Sequence, residues 1–158
     1  MPRASRPNMP GYGLAAENEG DGLLAWSWAV ERLAAARNYF LSTTRPDGGP
    51  HVMVVWGLWL DDAFWFSTGR ASRKGRNLAA NPRCVICPDD AEEAVIVEAA
   101  AAEVTDRALL DRFAREYKIK YDWDVSGMSE PVFVARPRVV YGQIEKTFTR
   151  SATRWQFD

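Results

Sequence analysis

The chain has 158 residues, with 20 basic and 21 acidic side chains and a formal net charge of -1. That is the size of one domain, large enough to bury a core without disulfides or metals. The charge balance excludes a nucleic-acid-binding face spread over the molecule, and the apolar stretch from Val52 to Leu60 is too short to span a membrane.

Residues 1–22 are rich in Pro, Gly, Asn, Asp and Glu and read as a flexible N-terminal arm. From residue 23 to residue 158 the composition is that of a folded domain. Ser27 is the expected cap of a helix over Trp28 to Arg37. A first strand is expected from Asn38 to Thr44, followed by the turn Arg45-Pro46-Asp47-Gly48-Gly49-Pro50. The next strand, His51 to Leu60, is apolar on both faces. A half-exposed strand would alternate with polar residues, so this one must be covered twice, by its own core and by a second subunit or a cofactor.

Asp61-Asp62 predicts a hairpin into Ala63 to Ser67. Ser72 to Ala80 predicts a short helix ended by Asn81-Pro82. Strands follow at Arg83 to Cys87 and Ala94 to Val104. Asp106 caps a helix expected to reach about Tyr117, with Leu109, Leu110, Phe113 and Tyr117 at helical spacing. The closing strands are expected at Pro131 to Ala135, Val139 to Glu145 and Ala152 to Phe157, with Pro137 marking a bend or an edge. Many short strands with two or three helices give a mainly β (α+β) class: a small antiparallel barrel with peripheral helices.

Cys84 and Cys87 form a CxxC pair inside an expected strand. Side chains at i and i+3 there point to opposite faces, and no second Cys or His pair completes a zinc site. Both read as small apolar strand residues. Glu92, Glu93 and Glu98 have no accompanying His and read as a solvated strand edge, so no metal site is expected. No segment reads as a signal peptide, and free cysteines fit a cytoplasmic protein without membrane or nucleic-acid partners.

The chemistry concentrates between Val52 and Asn81. Arg70, Arg73, Lys74 and Arg76 place four cations within seven residues. Ser72 caps the helix on which three of them lie. A helix start offers free N–H groups and a favourable dipole to an anion, and Arg and Lys add the compensating charge. The wall beside it, Trp56, Trp59, Phe64, Trp65 and Phe66, suits a flat ring. The pattern points to a phosphate-bearing cofactor of the flavin type. His51, the single histidine, follows Pro50 at a strand start, where a turn hydrogen bond is the expected role.

Four segments then carry a family resemblance: WSWAVERLAAARNYFLSTTRPDGGPHVMVVWGLWLDDAFWFSTG, SRKGRNLAANPRCVI, PVFVARPRVVYG and ATRWQFD. In their order and spacing the chain resembles the pyridoxamine 5'-phosphate oxidase-like split β-barrel family, and more closely its branch of oxidoreductases using FMN or coenzyme F420. The resemblance implies an antiparallel split barrel of six to seven strands that forms a homodimer with cofactors at its interface. It places the ring against the strand Val52, Met53, Val54, Val55 and Trp56. It places the cofactor's chain near Ser67 and Thr68, and the phosphate on Ser72, Arg73 and Lys74, with Asn77 on the same helix. Trp155 is expected near the ring. Relatives often carry Pro at the position of Val54 and Ala at that of Gly75.

The activity implied is hydride transfer between FMN or F420 and a small organic acceptor, with no catalytic residue assigned. The basic strip favours the extended anionic tail of the deazaflavin. The alternatives are an FMN-dependent pyridoxamine 5'-phosphate oxidase-type enzyme, which needs a second phosphate site, and a non-enzymatic flavin or haem carrier, for which His51 is the sole histidine ligand available.

Overall fold

The computed structural model describes residues 1–16 and 22–158. Among these, the strands are β1 (Arg3–Ser5), β2 (Tyr39–Thr44), β3 (Pro50–Val55), β4 (Leu58–Leu60), β5 (Ala63–Ser67), β6 (Arg83–Pro88), β7 (Glu93–Glu103), β8 (Val132–Ile144) and β9 (Thr153–Gln156). The α-helices are α1 (Trp26–Ala35), α2 (Arg73–Ala80), α3 (Arg107–Tyr121) and α4 (Phe148–Ser151). All strand pairs are antiparallel, in the order β1-β9-β8-β7-β6-β2-β3. The long strand β8 branches this sheet. It pairs with β7 along its length, with β5 at Val132–Ala135 and with β9 at Val139–Gly142. The branch produces the split barrel expected from the sequence.

Several expectations change. The doubly apolar run His51 to Leu60 is two strands, broken at Trp56-Gly57. The two strands expected around Pro137 are one strand with a bulge. Glu98 faces Val139 and Ala99 faces Pro137, which leaves Arg138 as the extra residue. A bulge accommodates a residue without a ladder N–H. Helix α1 begins before Ser27, at Trp26, and Ala25 offers no side-chain cap. Helix α3 runs four residues beyond Tyr117 and stops at Asp122, which adopts φ 52°. Part of the presumed arm is ordered: Arg3–Ser5 pairs with β9, and the buried Arg6 guanidinium donates to the carbonyls of Arg150 and Ala152. Residues 17–21 of that arm lie outside the described residues.

Two apolar clusters meet across β5. Phe64 and Phe66 face the barrel interior with Trp26, Leu33, Tyr39, Ile86, Val97 and Trp155. Ala63 and Trp65 face the other way, under α3, with Leu58, Val104, Phe113 and Tyr121. A strand covered on both sides reads as a continuous apolar run, as AFWF does. Cys84 and Cys87 are free thiols, and burial pushes both up, Cys84 to about 12. They are strand residues, as expected.

The break at Gly57 is tied down from α3. The Gly57 N–H donates to the Tyr121 hydroxyl at 2.9 Å, and its carbonyl accepts from Lys120 Nζ at 3.0 Å. Lys120 Nζ also donates to the Tyr39 hydroxyl at 2.8 Å. A Cβ on Gly57 would lie 2.2 Å from Phe64 Cζ and 2.9 Å from the Trp65 carbonyl oxygen. The Phe64 ring is fully buried and cannot step aside. We expect Gly57→Ala to lower stability in urea unfolding by about 1–3 kcal/mol, the usual scale of overpacking. An unchanged urea midpoint would contradict this account of the break.

Burial, reinforced by the Arg37 charge, lowers the Lys120 ammonium from 10.5 to about 8. Between those values the unfolded chain holds a proton that the folded chain has lost, so stability rises with pH across that window. The phenols of Tyr39 and Tyr121 are raised by burial. They act in the opposite sense, but only above about pH 10, where unfolded tyrosines ionise. Burial raises the Cys84 and Cys87 thiols from 9.0, which opposes this within the same window in both proteins, so we expect the change in urea midpoint between about pH 7.5 and 9.5 to be more favourable in wild-type protein than in Lys120→Met. Equal changes in both proteins would assign the effect elsewhere.

Candidate anion and ring site

Among the described residues strand β3 ends the sheet, with β2 on one side and no strand on the other. Val52 and Val54 are each 54% exposed and Met53 is 49% exposed, so apolar side chains project on both faces of this edge. Val55 is buried. On one face Val54 lies opposite Phe40 and Val52 opposite Ser42. That face continues through Val85, which pairs with Ser42 and Glu98, to Val139. A groove of about 510 Å³ runs across it, bordered by Ser42, Pro50, Arg83, Val85, Glu98 and Arg138.

At the start of α2, the Ser72 hydroxyl accepts from the Gly75 N–H at 3.0 Å and donates to the Gly69 carbonyl at 2.7 Å. The first intrahelical bond runs from the Arg76 N–H to the Ser72 carbonyl at 3.0 Å. The N–H groups of Arg73 and Lys74 precede it, which is the arrangement that receives an anion. Gly75 has a steric reason to be glycine: a Cβ there would lie 2.2 Å from the Gly69 oxygen. The helix start thus packs directly on the preceding loop.

Arg73 donates to Asn77 Oδ1 at 3.4 Å, and Asn77 Nδ2 donates to Thr43 Oγ1 at 3.0 Å. Asn77 is fully buried, so it secures α2 to β2 rather than facing a ligand. Ser67 Oγ donates to the Pro131 carbonyl at 3.0 Å, and the buried Thr68 hydroxyl lies 3.2 Å from Ser72 Oγ. Both hydroxyls shape the loop that presents Ser72. Among the described residues neither Arg73 nor Lys74 has a carboxylate partner.

Three sequence expectations need correction here. Arg70 is not a free member of the cationic strip, since its guanidinium binds both oxygens of Glu103, at 2.9 and 2.5 Å. The long-range partner from β7 was invisible within the local segment. Trp155 is 1% exposed, packed edge-to-face on Trp26 at 5.5 Å and over Gly142, so it is not placed to touch a bound ring. Trp56 already stacks on Tyr121, with centroids 4.5 Å apart and planes 6° from parallel. Its indole N–H donates to Asn38 Oδ1 at 3.2 Å. Trp56 therefore borders the ring wall with one face taken.

His51 is a further neighbour of this corner. It lies opposite Thr43 in the β2–β3 ladder. Arg45, Arg73 and Lys74 are close enough to add to a lowering of its proton affinity that begins with desolvation. The turn Arg45 to Pro50 fixes this register, and the hairpin could have been counted back to Thr43 from the sequence.

No curated protein matches the chain. Among solved structures, an F420 reductase aligns with a TM-score of 0.58 and 24% identity, over 70% of this chain and 93% of its own. A haem storage protein from Vibrio cholerae aligns at 0.60 and 17%, over 71% and 89%. A FAD-binding protein from Mesorhizobium loti aligns at 0.62 and 17%, over 85% and 96%. At these identities the likeness is one of fold. The family model for pyridoxamine 5'-phosphate oxidase matches residues 29–144, from α1 to the end of β8, and the chain belongs to that family.

Proposed function

We propose that the protein is a cofactor-dependent oxidoreductase that holds coenzyme F420 or FMN and serves hydride transfer to a small organic acceptor. The observation that carries this reading is one juxtaposition. Strand β3, with its exposed apolar residues Val52–Val54, runs beside α2, whose Ser72-capped start carries Arg73 and Lys74, and among the described residues neither of these has a carboxylate partner. The residues suit the group. Arg73 and Lys74 would hold the phosphate with charge-assisted hydrogen bonds. Val52, Met53 and Val54 would support the ring, with Trp56 at its border. When bound, the cofactor supplies the hydride chemistry, and the protein orients the acceptor and excludes water. Neighbours described as an F420 reductase and a FAD-binding protein support a flavin-type cofactor.

The position of His51 among three cations favours an anion-binding role over ligation of a haem iron, because neighbouring positive charge opposes a metal.

The exposed face of Phe40, Val52, Val54 and Ile96 fits a second copy of this chain. We place the cofactor cleft at that homodimer interface, with each copy covering the ring held by the other. We also infer a cytoplasmic homodimer; none of the described helices is long and apolar enough to cross a membrane.

Binding of FMN and F420 to wild-type protein, Arg73→Ala and Lys74→Ala, followed by ring fluorescence at two salt concentrations, tests the cofactor site. Each substitution should weaken binding by roughly ten- to hundredfold, the scale of one charge-assisted hydrogen bond. Unchanged affinity in both variants would overturn the assignment. Protein-dependent oxidation of reduced cofactor by an added enone would distinguish enzyme from carrier. Val54→Asp, examined by sedimentation, should shift the dimer to monomer and weaken cofactor binding together; a dimer that persists would move the interface elsewhere.

A further inference from the structure

His51 is the single histidine, and its surroundings are unusual for a resting structural role. Residues directly opposite in an antiparallel pair point to the same face. The His51 side chain therefore lies on the Thr43 side of the sheet, where Asn77 and Arg73 of α2 are linked to Thr43. Its Nδ1 is shielded from water and has no hydrogen-bond partner among the described residues. The charged groups acting on it come from two elements packed around it: Arg45 from the β2–β3 turn, and Arg73 and Lys74 from α2. All are cations. The neighbours from β2 and the buried part of α2, Thr43 and Asn77, are neutral. Desolvation and these charges disfavour the protonated imidazole while the corner holds no anion. An arriving anion offsets the three positive charges, and a protonated imidazole then has a donor on each nitrogen.

We propose that His51 is a further ligand of the phosphate site, taking up a proton from solvent as a phosphate-bearing ligand docks against Arg73 and Lys74, and releasing it when the ligand leaves. The inference rests on the reading of this corner as the cofactor's phosphate site. It makes affinity pH-dependent with a definite sign. The bound state holds one more proton than the free state, so binding is tighter at low pH and weakens as pH rises through the histidine range.

Because His51 is the only histidine, its imidazole resonances are unambiguous in wild-type protein. They are followed by NMR from pH 5 to 8.5 with no ligand, with sulfate, with FMN and with F420. Sulfate does not titrate in this range, which separates the histidine from the ligand's own ionisation. The expected result is a midpoint below the usual histidine value in the free protein, raised by about one unit or more on adding sulfate or the bound cofactor, equal to a tenfold linkage. FMN affinity, measured at pH 6 and 8, should fall more steeply in wild-type protein than in His51→Gln or His51→Asn.

If a cofactor binds and the His51 midpoint does not move, this inference is overturned and the cofactor reading stands. If sulfate moves the midpoint while neither FMN nor F420 binds, the proton-linked anion site is supported and the cofactor reading fails. If no ligand binds or moves the midpoint, both fall.

Discussion

The arrest of one strand at Gly57 organises the rest of the molecule. Val52 to Leu60 is apolar throughout, and unbroken it would run on as a single buried element. Instead its backbone is caught by the Tyr121 hydroxyl and the Lys120 ammonium, and Phe64 packs where a Cβ would stand. The segment before the break becomes the sheet's last strand, and the segment after it turns into a hairpin with β5. The same contacts fix the end of α3. Trp56, at the break, is pinned by its stack on Tyr121. An open apolar edge therefore coexists with a rigid core because the two halves of one hydrophobic run have been given different jobs.

The anion corner is rigid for a related reason. Ser72 is both donor and acceptor in the loop that it caps, Gly75 lets the helix settle on the Gly69 carbonyl, and Asn77 reaches through the buried layer to Thr43. The charged side chains stand on a base tied together by these bonds, and Arg73 adds one to Asn77 Oδ1. Site precision comes from such support. The local cap is backed by contacts from distant segments, Asn77 to Thr43 and Ser67 to the Pro131 carbonyl.

This division decides what the sequence discloses. The Asp61-Asp62 hairpin, with both residues at φ 53°, follows from local turn chemistry. The Ser72 cap is equally local, and the barrel class follows from the density of short strands. What escaped a local reading depends on distant partners. Glu103 claims Arg70 from 33 residues away. Trp155 looks like a free aromatic until Gly142 and Trp26 are seen to enclose it. The break at Gly57 is hidden because no turn residue other than glycine marks it, and its cause is a tyrosine and a lysine on α3. Asn77 resembles a polar ligand on a short helix, and only the β2 contact shows that it faces inward.

The tryptophan packed over Gly142 has a kinetic corollary. Trp155 completes the barrel interior, yet its strand is held between β8 and β1, and the β1–β9 ladder joins Arg3 to Gln156. Closing so long a loop costs entropy before any contact repays it, and topologies rich in such pairs fold slowly. The hairpins β2–β3 and β4–β5 form from neighbours and can precede it. Strand β9 meets β8 across the short connection from Gly142 to Thr153, so Trp155 joins the interior with its neighbours, and the long closure is the addition of β1 along the outer edge of β9.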